Sequence, residues 1–242
     1  MQIMTKFIAI VSGKGGVGKT TVTINLGHAL SELGKKVLLL DANLVTPNLG
    51  IHLGLMNPEG TLNKYLRKEK NLREITYLHE SGVSVIPASP SFSEFQKTNT
   101  QNLTRVFEQL DETVDFVLID APSGLGHDVT QVLKNSDEAI IVVTPYLSSL
   151  MDALKTIQLI QVHNNMIAGI VLNMSNRGSY ELKSKEIEDI LNYPIIANIR
   201  QDKKMRKAVY KNMPCGYVYP RSNAARECTK AAEFISFQEK VK

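Results

Sequence analysis

The chain has 242 residues, which favours one domain of the longer α/β kind, at roughly 150 residues per domain. Hydrophobic residues make up 43% and charged residues 21%, enough apolar chain for a packed core, which excludes disordered, collagen-like and repeat architectures. No apolar run approaches the roughly 18 residues of a membrane span, and Lys6 interrupts the N-terminal stretch, so neither a spanning helix nor a secretory leader is expected. The net charge of +4 is unevenly placed: 13 basic and 7 acidic residues from Lys183 onward, against 15 and 17 before it. Most of the excess lies between Asn198 and Lys230. Such a run is either a solvated helical face or a surface for nucleic acid or anionic lipid. Cys215 and Cys228 have no Cys or His at metal-ligand spacing, so reduced structural thiols in a cytoplasmic protein are expected. The five histidines, His28, His52, His79, His127 and His163, share no such spacing either.

In chain order, strands are expected at 6–12, 36–41, 83–87, 115–120, 138–144, 167–173 and 194–199. These runs are nearly continuous in Val, Ile and Leu, the signature of strands buried on both faces. Helices are expected near 19–33, 101–112, 127–135, 149–163, 181–191, 203–211 and 223–237. The alternation predicts a three-layer, doubly wound α/β domain, 1–242, with a mostly parallel sheet of about seven or eight strands, the helices supplying the crossovers. The segment 44–80 reads as loops and short helices, and the polar segment 88–102 as a surface loop leading into a helix.

Between the first strand and first helix stands Gly13-Lys14-Gly15-Gly16-Val17-Gly18-Lys19-Thr20. It matches the phosphate-loop pattern of Gly, four residues, then Gly-Lys-Ser/Thr, in the strand–loop–helix context that pattern requires. Glycines let the backbone turn with its N–H groups inward, and the helix adds the positive end of its dipole. Lys19 is expected on β- and γ-phosphate oxygens, with the Thr20 hydroxyl on Mg²⁺ and Thr21 beside it. Two strands end in aspartate, Asp41 and Asp120. Ligands of open parallel sheets sit at the carboxyl ends of strands, so both carboxylates can approach the metal. The loop Pro122-Ser123-Gly124 would sense the γ-phosphate through its backbone.

The loop carries an extra lysine, Lys14, and so resembles the deviant phosphate loop of the MinD/ParA ATPases. The resemblance runs through most of the chain: GKGGVGKTTVTINLGHAL (13–30), LLLDANLVTPNLGIHLGL (38–55), DFVLIDAPSGLG (115–126), IIVVTPYLSSLMDALK (140–155) and GIVLNMSN (169–176), then Pro214 and Pro220 to Ala224. It is nearest to archaeal-type MinD-like proteins. The resemblance implies ATP-driven homodimerisation, with Lys14 of each subunit reaching the phosphates of the other. It also implies adenine contact by Asn173, with Arg200 to Asp202 flanking the base. No Asn-Lys-x-Asp guanine signature is present.

Two positions depart from the family. Its first switch has Asp-x-Asp; here it reads Asp41-Ala42-Asn43. A neutral Asn43 can orient a water but cannot take its proton, so ATP binding with slow hydrolysis is expected. The family often has Glu where Tyr146 stands after Thr144-Pro145. Iron–sulfur carriers and nitrogenase reductase belong to the same superfamily but hold clusters with Cys-x-x-Cys, which is absent here. Tyrosine-kinase relatives have a Tyr-rich tail, also absent. Two working surfaces stay open. MinD proteins attach to membrane through a C-terminal amphipathic helix, whereas Ala225, Cys228, Ala232 and Ile235 favour a last helix docked on the sheet. ParA proteins bind DNA without sequence preference, and Arg200, Lys203, Lys204, Arg206, Lys207 and Lys211 supply a basic run. A regulatory protein partner is the third possibility.

Overall fold

Runs in which every residue is apolar can only be satisfied where both sides are covered, and the chain covers them. The computed structural model describes residues 4–99, 103–176 and 178–238. The first half contains β1 (Lys6–Val11), α1 (Lys19–Glu32), β2 (Val37–Asp41), α2 (Leu49–His52), α3 (Leu62–Leu66), α4 (Leu72–Ile75), β3 (Tyr77–Leu78), β4 (Ser84–Ile86), α5 (Phe92–Gln96) and α6 (Thr104–Leu110). The second contains β5 (Phe116–Asp120), α7 (His127–Lys134), β6 (Glu138–Val143), α8 (Leu147–Val162), β7 (Met166–Ser175), α9 (Ser184–Leu191), β8 (Ile195–Arg200), α10 (Lys203–Tyr210), α11 (Cys215–Val218) and α12 (Asn223–Gln238).

Among the described residues the strands form one eight-stranded sheet in the order β3-β4-β2-β5-β1-β6-β7-β8. All neighbours are parallel except β3 against β4. Side chains alternate across each strand. Phe7, Ala9, Val11, Leu38, Leu40, Val117 and Ile119 therefore join the core under α3, α6, α7, α8 and α9. Ile8, Ile10, Val37, Leu39, Phe116 and Leu118 join the core under α1 and α12.

The seven expected strands and seven expected helices are present, displaced by a few residues at their ends. The start of the helix expected at 101–112 falls on residues 100–102, which lie outside the described residues. Three elements were not expected, the shortest helix among them being α11, four residues between α10 and α12. β3 is a two-residue antiparallel edge strand, too short to carry a period. Within 88–102, α5 forms a single turn beginning after Ser91, its Phe92 and Phe95 rings 6.3 Å apart and its Glu94 carbonyl taking a hydrogen bond from Arg67. The segment 44–80 does resolve into short helices, two of them capped by Thr61 and Asn71 side chains.

α12 docks on α1 and β8 through Ala224, Ala225, Cys228, Ala231, Ala232 and Ile235, all buried. Its small residues let the helix axes approach closely. Phe234 and Phe237 remain exposed. No helix among the described residues is long and apolar enough to cross a membrane.

α1 is pinned from the other side by one buried amide. Asn25 Nδ2 donates to the Thr21 carbonyl at 2.7 Å, and Asn25 Oδ1 accepts from the Cys215 N–H at 2.6 Å. Asn25→Ala leaves a buried backbone donor without a partner, a cost of about 1–3 kcal/mol. At about 2–4 °C per kcal/mol for a chain of this size, thermal unfolding should show a Tm lowered by several degrees. An unchanged Tm would mean that water reaches the Cys215 amide.

Candidate functional site

The carboxyl ends of β1, β2 and β5 lie side by side, with Asp41 opposite Asp120 and Ile10 opposite Asp120 in register. The loop 12–18 rises from β1 at this edge. Gly16 has φ +79° and Gly18 φ +91°, left-handed values that side chains resist. Gly18 is the N-cap of α1 and offers no side-chain cap, and the first turn carries no acidic residue. The first amides of α1 thus keep their capacity for an anion. A Cβ at Gly16 would meet nothing within 4 Å and one at Gly15 only Ser123 Oγ at 3.9 Å, so the hollow side of the loop is open. Gly13 lies against the Asp152 backbone of α8, where no side chain fits.

Lys19 is 7% exposed. Its ammonium donates to Ser12 Oγ at 3.0 Å and to Ser123 Oγ at 2.5 Å. Burial holds its pKa below the usual lysine value, partly opposed by the Asp120 charge. Thr20 Oγ1 donates to Asp120 Oδ2 at 2.6 Å. Asp120 is buried, and its other oxygen, Oδ1, has no partner among the described residues. Burial raises the Asp120 carboxyl to about 6, with the Thr20 hydroxyl and Lys19 pulling the other way. Asp41 is raised well above the usual carboxylate range by burial and then by Asp120. Its two oxygens differ from those of Asp120 in being occupied: Oδ1 accepts from the Asn43 N–H and Oδ2 from the Leu49 N–H that opens α2, each at 3.1 Å.

The other expected residues fall around this centre. Asn43 is turned into its own loop: its Nδ2 donates to the Thr46 carbonyl and hydroxyl, and its Oδ1 accepts from the Thr46 N–H. Gly124 has φ +92°, but its N–H is spent on the Ser12 carbonyl at 3.1 Å. The contact to Lys19 comes instead from the neighbouring Ser123. Lys14 is half-buried and donates to Ser148 Oγ, in the first turn of α8, at 3.1 Å. Tyr146 is the N-cap residue of that helix and is about half exposed. Val17 is buried, and its carbonyl accepts from Asn173 Nδ2 at 2.8 Å. Asn173 lies within β7, which continues to Ser175. A cavity of about 240 Å³ opens beside Thr21 and Asn173, with Arg200, Gln201 and Asp202 on its rim.

Ser12, Met205 and Val209 were not singled out in the sequence, Ser123 was expected to act through its backbone and not its hydroxyl, and Arg206 was read only as part of the basic run. Ser12 and Ser123 meet because β1 and β5 pair with Ile10 opposite Asp120, a register that sequence periodicity does not report. The residues present fit a divalent cation: a hydroxyl and a carboxylate oxygen with a buried, unpartnered lone pair are hard oxygen donors of the kind Mg²⁺ takes. Among the described residues no cluster of three or more His, Cys, Asp or Glu side chains forms another metal site. Cys215 and Cys228 are both free and buried.

The family described as "ParA: NUBPL iron-transfer P-loop NTPase" matches residues 3–236. An uncharacterized ATP-binding protein of Methanocaldococcus jannaschii is 37% identical over 232 residues, covering 96% of this chain and 88% of that protein. The septum site-determining protein MinD of Synechocystis sp. is 33% identical over 226 residues, covering 87% and 82%. Among solved structures, MinD of Pyrococcus horikoshii complexed with Mg-ADP superposes with a TM-score of 0.93 at 32% identity, covering 98% of each chain. A glycine-built anion cradle, a buried lysine, a hydroxyl–carboxylate pair at the strand tips and a family match over nearly the full length converge: the chain belongs to the ParA family of P-loop NTPases.

Proposed function

We propose that the chain is a MinD-type switch ATPase, which binds Mg-ATP, dimerises around it and uses that state to position a partner, as in division-site regulation. The observation that carries this reading is the arrangement of Lys14, Lys19, Thr20 and Asp120 around the open loop 13–18. Lys19 and the first amides of α1 would hold the β- and γ-phosphates. Thr20 and Asp120 would hold Mg²⁺, with Asp41 behind; the metal neutralises developing phosphate charge. A water would attack the γ-phosphorus as the bond to the ADP oxygen breaks. Asn43 is the residue left to orient that water, and it must first release Thr46.

Lys14 is anchored only to a hydroxyl at the surface, so it can leave Ser148 for the phosphates of a second copy. Exposed Leu125, Tyr146, Leu147 and Met151 border the same side. An iron-carrier role finds no support in the cysteines, since both thiols are enclosed in the core. Burial raises the Cys228 thiol to about 12, away from thiolate.

A ParA-type role on non-specific DNA is the second reading, favoured by the exposed Lys203, Lys204, Arg206, Lys207 and Lys211 around α10. The docking of α12 weighs against a membrane anchor within the described residues. DNA retention that falls steeply with salt only in the ATP state supports the ParA role; flotation with liposomes only in the ATP state supports the MinD role.

Sizing the protein with ATP, ADP and no nucleotide should show a dimer with ATP alone. Lys19→Ala should lose nucleotide binding. Lys14→Ala should bind ATP as a monomer and turn over roughly a thousandfold more slowly; a persisting dimer would remove Lys14 from the interface. Asn43→Asp should raise the steady-state phosphate release rate, toward the roughly 100-fold that a positioned base contributes. An unchanged rate would mean that this position does not limit chemistry.

The raised carboxyl of Asp120 has a stability consequence. Between the ordinary aspartate value and about 6 the folded protein keeps a proton that the unfolded chain has lost. Stability in magnesium-free buffer should therefore fall as pH rises through this window. Asp120→Asn should flatten that part of the profile in urea unfolding, and Mg²⁺ should offset the loss only in the parent protein.

A further inference from the structure

The cavity beside Thr21 and Asn173 has a wall that the family resemblance did not specify. Ile199, Met205, Val209 and Met174 make part of its lining apolar. Met205, Arg206 and Val209 come from successive positions on one side of α10, while Lys203, Lys204 and Lys207 do not line the cavity. The helix is fixed at both ends of this stretch. Asp202 Oδ1 caps it by accepting from the Lys204 N–H at 2.7 Å, and Ala208 is fully buried against the layer beneath. The backbone of residue 206 is thus held in the cavity lining.

The two arginines on the rim are not equivalent. Arg200 lies close enough to Glu227 to stabilise its charge. The Arg206 guanidinium makes no ion pair and no side-chain hydrogen bond among the described residues, and it is exposed. A cavity lined partly by apolar side chains and by an uncommitted planar cation suits a flat aromatic ring, since guanidinium stacks on π faces where ammonium does so less well.

We propose that Arg206 closes the open side of this cavity by laying its guanidinium over the purine ring of the bound nucleotide, which makes it a positioning residue for the base. The proposal rests on the ATP-binding reading above. In it, part of the basic run belongs to the nucleotide site and the rest, Lys203, Lys204, Lys207 and Lys211, is the solvent face. The loop 13–18 grips phosphates whatever base they carry, and Arg206 adds the purine.

Calorimetric titration of Mg-ATP and of inorganic tripolyphosphate into R206A, R206K and K207A tests this. R206A should bind Mg-ATP roughly 3–30-fold more weakly, with tripolyphosphate unchanged and the ligand-free Tm unchanged. R206K should recover little of the loss, and K207A should match the parent for both ligands. If R206A weakens both ligands equally, Arg206 acts on phosphate as a point charge and the proposal is overturned. If R206A binds Mg-ATP as the parent does, the clamp is absent. A parent protein that binds tripolyphosphate but not Mg-ATP also overturns it, because no base is then recognised. A parent that binds neither ligand removes the ATP reading itself, a result distinct from these.

Discussion

Three ionisable groups are buried together at the tips of β1, β2 and β5, and most of the local structure exists to make that tolerable. Taking a charge out of water costs several kcal/mol even after relaxation. Lys19 recovers part of this from two hydroxyls, Ser12 and Ser123, each supplied by a different loop. Asp41 recovers it from the amides of Asn43 and Leu49. Asp120 has only the Thr20 hydroxyl and the charge of Lys19, with one oxygen unsatisfied. Two carboxylates against one ammonium leave a deficit of positive charge on one side, and the uncapped start of α1 leaves a deficit of negative charge on the other. A dication carrying polyphosphate relieves both at once, whereas either alone relieves only half.

The same hydrogen bonds determine what moves together. Asp41 does not hold its two amides independently: they begin and end the loop 43–49, so a displacement of the carboxylate displaces α2. Gly124 ties the loop after β5 to the Ser12 carbonyl, and Ser123 in that loop touches Lys19. Both loops therefore respond to the position of the lysine and the aspartates without needing direct contact with each other. The Lys14 backbone carbonyl belongs to this network, accepting from Ser12 Oγ, but its ammonium points away from it, to Ser148 Oγ. The proposed release of Lys14 to a second copy, with Lys19 staying in place, rests on that difference in attachment.

The architecture was legible in the sequence because it rests on strong local signals. Strands such as Phe116–Asp120 are apolar at every position but the last, and the phosphate loop is a contiguous pattern with a steric reason for each glycine. β3 escaped because two residues have no period and its partner β4 decides its conformation. The polar run 88–102 hid α5, whose turn is steadied by Arg67 from a distant helix. In the site, the residues of the loop and the strand-end aspartates could be named from position alone. The side-chain contacts of Ser123 and Met205 could not, because each acquires its neighbour through sheet register or helix docking, separations of a hundred residues or more. Gly124 illustrates the converse: its place in the loop was readable, but the direction of its N–H depends on Ser12.

Asn43 and α10 show how one substitution and one helix change meaning once the structure is in view. In sequence, Asn43 looks like a weakened copy of an aspartate. In the fold it closes a loop with Thr46 through both its donor and its acceptor, which an aspartate could do with only half as many hydrogen-bond types. The neutral amide thus stabilises the resting loop and, in the proposed mechanism, withholds the group that would orient the water. In the same way, the basic run 200–211 reads as one surface until the helix is built. A helical turn then puts Met205 and Val209 in the cavity lining and leaves the lysines exposed, so one short element presents two different faces. The charge was visible in the sequence; its division between two sides is a product of the helix.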